Sequence, residues 1–119
     1  MELTYEDLDD GIRRVNLMGR MDMEGCQQVD LKFTSVTASR QAFVVVDLSL
    51  VEFLSSLGLG TLVRSAKAQM SRQGKLVLLS PQPQVARVLQ ITQVDQILQV
   101  FDDFEEARRA VRPPSSPAN

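Results

Sequence analysis

Two adjacent serines, Ser55 and Ser56, sit in the stretch VDLSLVEFLSSLGLGTLVRSAK, where an apolar strand pattern gives way to a polar turn and then to an amphipathic helical pattern. A serine at such a junction can do two kinds of work. Its hydroxyl can accept from the free N–H groups of the helix's first turn. It can also carry phosphate, because first-turn amides and the helix dipole both favour negative charge. Gly58, just beyond, would let backbone or a partner approach with no side chain intervening. The pair Gly58 and Gly60 is not a dinucleotide fingerprint, since Val63 occupies the place of the third glycine. The lysine-serine pair of a phosphate-binding P-loop is missing as well.

Other chemistry is restricted by what the chain lacks. There is no histidine, so Ser–His and Cys–His nucleophile pairs are excluded and the commonest neutral-pH acid/base is absent. The single cysteine, Cys26, cannot form an intrachain disulfide and has no histidine with which to hold a metal. It falls on an apolar helical stripe, a core position. The acidic residues gather in solvent-type runs, Glu6-Asp7 with Asp9-Asp10 and Asp102-Asp103 with Glu105-Glu106, which suit capping and solubility better than a catalytic pair. Asp22 and Asp47 lie apart and read as a cap and a turn residue. No catalytic residue, metal site or cofactor is expected, and the chain is not read as an enzyme.

These residues need a scaffold, and the pattern around them supplies one. Residues 3–8 form a candidate edge strand, and Asp9-Asp10-Gly11 a turn into a second strand with Val15 and Leu17 on one face. Asp22 then caps a helix carrying Cys26, Val29, Phe33 and Val36. The run AFVVVDLS, residues 42–49, is a central strand buried on both faces. A second helix, 56–73, carries Leu59, Leu62, Val63, Ala66 and Met70 inward, with Gly74 as its stop. Residues 75–80 form another strand, Val85, Val88 and Leu89 mark a short helix, 97–101 a last strand, and Asp102 or Asp103 caps a final helix through Ala110.

The predicted fold is therefore α/β: one domain, a central mixed sheet of about five strands with about four helices, opened by an antiparallel hairpin. At 119 residues, 44% hydrophobic and 24% charged, the chain matches one globular domain. The domain is expected over residues 1–111, with 112–119, RPPSSPAN, as a disordered tail. Thirteen basic and fifteen acidic residues leave a net charge of −2, which offers no footprint for nucleic acid or an anionic membrane. The acidic N-terminal segment does not read as a signal peptide and no stretch reads as a membrane span, so a cytoplasmic location is expected.

The order of elements, with EFLSSLGLGTLV, resembles the STAS domain of anti-sigma factor antagonists and sulfate transporters over about residues 2–111. A second match is Gly19-Arg20-Met21-Asp22, after the second strand. The resemblance implies that Ser56 is the phosphoacceptor, that Ser55 takes the aspartate-or-serine place before it, and that Gly58 and Leu59 are the glycine-leucine pair. Leu57 departs from the usual small residue. Asp22, Ser55, Ser56, Leu57 and Gly58 are the implied partner-binding residues. The implied partners are an anti-sigma factor that is also an ATP-dependent serine kinase, bound by the unphosphorylated protein, and a phosphatase that resets the switch. Three further readings stay open: a plain helix cap at Ser55-Ser56, a STAS subunit of a lipid-transport ABC complex, and a nucleotide or small-anion site at the helix start. The oligomeric state is left undetermined.

Overall fold

In a computed structural model, which describes residues 1–94 and 96–113, Asp9 and Asp10 turn the chain between β1 (Glu2–Asp7) and β2 (Arg13–Met21). These pair antiparallel, from Glu2 against Met18 to Asp7 against Arg13. Gly11 takes φ 83°, a left-handed conformation that a side chain would resist, and so closes the hairpin. The chain then runs α1 (Met23–Thr37), β3 (Phe43–Leu54), α2 (Ser56–Ser71), β4 (Lys75–Leu79), α3 (Pro83–Ile91), β5 (Val100–Phe101) and α4 (Phe104–Val111). Among the described residues the sheet has the order β1-β2-β3-β4-β5, and every pairing after the hairpin is parallel.

Alternation along the strands divides the core in two. Val15, Leu17, Val44, Val46, Leu76 and Leu78 face α1, α2 and α3, where Phe33, Leu62, Ala66, Val85 and Leu89 meet them. Val45, Val77 and Leu79 face the other way, onto Ala107 and Val111 of α4. The continuous valine run is apolar throughout because both its faces are covered. An Arg108–Asp10 ion pair and the Arg14 guanidinium, 4.5 Å from the Phe104 ring centroid, fasten α4 to the hairpin side.

The expected architecture holds, with local differences. β3 continues past residue 49 to Leu54 by means of two β-bulges, between the Asn16–Asp47 and Met18–Leu50 pairs and again between Gly19–Val51 and Arg20–Phe53. Each inserts an extra residue on β3, so burial recurs every third position, at Leu48, Val51 and Leu54, while Ser49, Leu50, Glu52 and Phe53 face out. A strand with that period does not read as one. Beyond Asp47, β3 has no β4 neighbour; instead Gln82 Nε2 donates to the Ser49 carbonyl at 2.8 Å and Gln84 Nε2 to that of Glu52 at 3.1 Å.

The last strand is only Val100–Phe101, because Ile97 and Leu98 both donate to the Val94 carbonyl and form a turn. Met70, expected inward, is 62% exposed, and Gln69 takes the inward place. α2 ends at Ser71, and the left-handed residue that stops it is Gln73, φ 63°, not Gly74. Gly74 is needed for space, since a Cβ there would collide with Gln69 Oε1 and the Ala42 carbonyl. The expected tail lies outside the described residues from 114 onward, whereas Pro113 lies against Gly11.

Gln69 is fully buried and joins three segments. Its Nε2 donates to the carbonyls of Thr37 at 2.6 Å and Arg40 at 2.8 Å, and its Oε1 accepts from Ala42 N at 2.9 Å. Beside it Thr37 Oγ1 bonds Ser65 Oγ at 2.9 Å. Replacing Gln69 by leucine leaves one buried and two part-buried backbone groups without this partner, so Gln69→Leu is expected to lower unfolding free energy by about 2–4 kcal/mol, read by urea denaturation. A change within error would mean that this network is dispensable.

Asp47 gives a second prediction. Burial raises its pKa, but Arg14 Nη2 at 2.7 Å and Ser49 N at 2.8 Å outweigh it and hold the carboxyl below its ordinary value. A depressed folded pKa contributes stability that is complete above the unfolded value of about 3.9 and is lost as pH falls through the folded one. Asp47→Asn is therefore expected to be less stable than wild type at pH 7, with the gap closing below about pH 4. Urea midpoints along a pH series check this.

Candidate functional site

Two helices start side by side at the C-terminal ends of β2 and β3. Asp22 caps α1 in an extended conformation, its Oδ1 accepting from Gly25 N at 2.8 Å. Chiefly through that bond, with Arg20 adding to it and burial opposing, its carboxyl is held below the ordinary value. The Arg20 guanidinium lies 4.5 Å from the Phe53 ring centroid, with Nε 3.4 Å from Asp22 Oδ2. Gly25 admits no side chain, because a Cβ would fall on the Arg20 carbonyl. The first turn of α1 is thus pressed onto the end of β2.

Ser55 caps α2 in the same way, and its hydroxyl is fully engaged. Oγ donates to the Met21 carbonyl at 2.6 Å and accepts from Gly58 N at 3.1 Å, while Ser55 N also donates to Met21 O at 3.0 Å. Gly58 is buried beneath: a Cβ there would stand 2.8 Å from Met21 Cβ and 2.9 Å from Leu54 Cδ1. Ser55 and Gly58 therefore face the protein's own β2. Ser56, the first residue of α2, is exposed, and its hydroxyl has no hydrogen-bond partner among the described residues.

Large apolar side chains are also exposed on β3 and at the two helix starts. Leu57 is 52% exposed, Met23 62%, Leu50 59% and Phe53 39%. The bulges of β3 bring Leu50 and Phe53 to the surface, and the two helix starts bring Leu57 and Met23. Of these only Leu57 stood out in the sequence. Phe53 lies shortly before Ser56, but its outward direction depends on a bulge that strand periodicity does not announce.

Leu57 turns toward α1, where it lines a groove of about 210 Å³ with Met23, Cys26, Asp30, Thr61 and Arg64. Cys26 is buried there, and burial, followed by the charges of Asp22 and Asp30, pushes its thiol above the ordinary value, away from nucleophilic use. Among the described residues no group of three His, Cys, Asp or Glu side chains could hold a metal ion, and no helix is long and apolar enough to cross a membrane.

A mixed five-stranded sheet opened by a hairpin, with two capped helices meeting at one end, defines a class, and comparison with known proteins gives it a name. Residues 7–107 match the STAS domain family, and the chain belongs to it. Its likeness is to anti-sigma factor antagonists in particular. A putative anti-sigma factor antagonist of Bordetella bronchiseptica, BtrV, is 29% identical over 90 residues, 76% of this chain and 77% of BtrV. An anti-sigma factor antagonist from Mycobacterium paratuberculosis has the same fold with a TM-score of 0.80 and 27% identity, over 94% of this chain and 96% of the other. A Thermotoga maritima protein described in similar terms gives a TM-score of 0.79 and 29% identity, over 93% and 95%.

Ser55→Ala removes a cap and leaves Gly58 N–H without its acceptor, and is expected to cost about 0.5–2 kcal/mol. Gly58→Ala must force Met21 and Leu54 aside and is expected to cost about 1–3 kcal/mol. Ser56→Ala, with no bond to lose, should stay within about 0.5 kcal/mol of wild type. Thermal or urea unfolding of the three variants orders them; equal effects at Ser55 and Ser56 would contradict the assignment of the cap.

Proposed function

We propose that this protein is an anti-sigma factor antagonist whose unphosphorylated form binds an anti-sigma factor that doubles as an ATP-dependent serine kinase, and that phosphorylation of Ser56 ends the complex. The observation that carries this reading is the exposed, uncommitted Ser56 hydroxyl, followed by exposed Leu57 and set beside a Ser55 whose hydroxyl is already used. An apolar surface of this kind favours contact with another protein. An exposed hydroxyl is reachable by that partner's active site. The domain proper is taken as residues 1–111.

The chemistry is supplied by the partner. The Ser56 oxygen attacks the γ-phosphorus of ATP, the bond to the β-phosphate oxygen breaks, ADP leaves, and the serine proton passes to a base of the kinase. This chain offers a nucleophile and the frame that holds it, and no catalysis of its own. The phosphoryl group then places about −1.5 to −2 charges at that contact. A hundredfold loss of affinity requires only about 2.7 kcal/mol, which one misplaced charge in a desolvated interface supplies. Hydrolysis by a phosphatase restores the surface. Such a cycle draws on ATP and belongs in the cytoplasm.

A nucleotide site at the start of α2 is less well supported. The adjacent groove has a volume of about 210 Å³. Pockets for small molecules begin at roughly 300 Å³. The test is incubation with the cognate kinase and ATP, followed by peptide mass mapping and binding measurements. Phosphate is expected on Ser56; Ser56→Ala is expected to stay unmodified and bound, and Ser56→Asp to bind more weakly. Phosphate on Ser55, Ser115 or Ser116, with Ser56→Ala still modified and still released, would overturn the assignment.

A further inference from the structure

At the end of the sheet where β2 and β3 begin, opposite the starts of α1 and α2, a cavity of about 460 Å³ opens between the β1–β2 hairpin, the end of α1 and Pro113. Leu8, Val36, Ala42, Phe43 and Pro113 give it apolar walls, and Asp7, Arg13 and Arg40 are its charged groups. Its hydrogen-bonding capacity is one-sided. Both oxygens of Asp7 are engaged by Arg13, Oδ1 by Nε at 2.7 Å and Oδ2 by Nη2 at 3.1 Å. The last carbonyls of α1, which a helix end ordinarily offers to a cation, each have a donor already. That of Thr34 accepts from Ala38 N, that of Ser35 from Ser39 Oγ, that of Val36 from Arg13 Nη1 and that of Thr37 from Gln69 Nε2. Donors, by contrast, are in surplus. Arg13 spends three N–H groups on Asp7 and Val36 and keeps the rest of its five. Among the described residues Arg40 has no carboxylate within ion-pair distance.

We propose that this cavity binds a small organic acid, its apolar body against Phe43 and Val36 and its carboxylate toward Arg40 and the remaining N–H groups of Arg13. A site whose acceptors are used and whose donors are not selects a ligand that brings acceptors, and therefore an anion. Two guanidinium groups against the single carboxylate of Asp7 leave a net positive charge that a monoanion neutralises. Asp10, in the hairpin turn, is paired with Arg108 of α4. Carboxylates bond guanidinium groups through charge-assisted, often paired hydrogen bonds. Arg13 is fixed in advance, its guanidinium 4.7 Å from the Tyr5 ring centroid as well as bonded to Asp7, so a ligand need not order it. The volume falls within the roughly 300–1,000 Å³ over which small-molecule sites occur. This site is independent of the function proposed above and lies at the other end of the sheet from Ser56.

The experiment titrates the full, isotope-labelled chain with 3-phenylpropionate, with octanoate and, as a control of opposite charge, with 3-phenylpropylamine, followed by NMR. At least one acid is expected to move the backbone amide signals of Gly11, Val36, Arg40 and Phe43 with a Kd of about 1 mM or tighter, as suits a ligand of roughly ten non-hydrogen atoms. The amine is expected to bind about tenfold more weakly or not at all. Arg40→Glu, at an exposed position, should weaken the acid about tenfold or more with an unchanged melting temperature. Ser35→Trp, which sets a ring into the cavity, should abolish binding, whereas Arg87→Glu, on α3, should leave it within about twofold of wild type. No signal change with either acid at about 10 mM, changes confined to other residues, equal binding of the amine, or wild-type binding by Arg40→Glu would each overturn the proposal.

Discussion

The Met21 carbonyl accepts two hydrogen bonds from Ser55, one from its N–H and one from its hydroxyl, and the functional end of the molecule is built around that atom. Met21 ends β2 and Ser55 follows β3, so the two bonds tie together the points at which α1 and α2 depart. Each neutral bond contributes only about 0.5–1.5 kcal/mol, yet leaving the buried carbonyl without partners would cost comparably again. Gly58 completes the arrangement from below. With no Cβ, it lets the first turn of α2 settle directly on Met21, which a larger residue would lift away.

Consecutive serines consequently have opposite roles. Ser55 has both its donor and its acceptor spent within the fold, while its neighbour Ser56 faces water. Ser55 is the extended cap, at φ −86° and ψ 172°, whereas Ser56 begins the helix, so the two side chains leave the backbone in different directions. Modification of the second need not disturb the first. At its other end α2 is held by Gln69, whose amide bonds carbonyls at and beyond the end of α1 and the N–H that leads into β3. A helix pinned at both ends has little freedom to move, so the phosphate proposed at Ser56 would act through charge at the surface.

The parts of this arrangement that depend on neighbours in sequence were readable in advance. Asp22 and Ser55 stand before apolar helical stripes, and Val44 to Val46 form an unbroken run with room on neither side for water. The rest depends on relations across the fold. Gln69 looks like a solvent residue in any helical pattern and Met70 like a core one; only the distant carbonyls of Thr37 and Arg40 reverse their places. Phe53 and Leu50 face outward because of bulges that are defined by the register of β2 against β3, which no single segment contains. The last strand is short for a similar reason: the turn at Val94 uses amides that periodicity alone assigns to a ladder.

The two glutamine amides that bond the free edge of β3 have a meaning for the life of the protein in a crowded solution. A strand extending past its neighbour displays carbonyls in the spacing that another extended chain seeks, and such edges are where soluble proteins begin to stack. Gln82 and Gln84 answer Ser49 and Glu52 with side-chain donors where β4 no longer reaches. They satisfy the edge without propagating it, because an amide side chain offers no new ladder beyond itself. The bulged strand thus holds Leu50 and Phe53 at the surface while refusing the indiscriminate pairing of backbone with backbone.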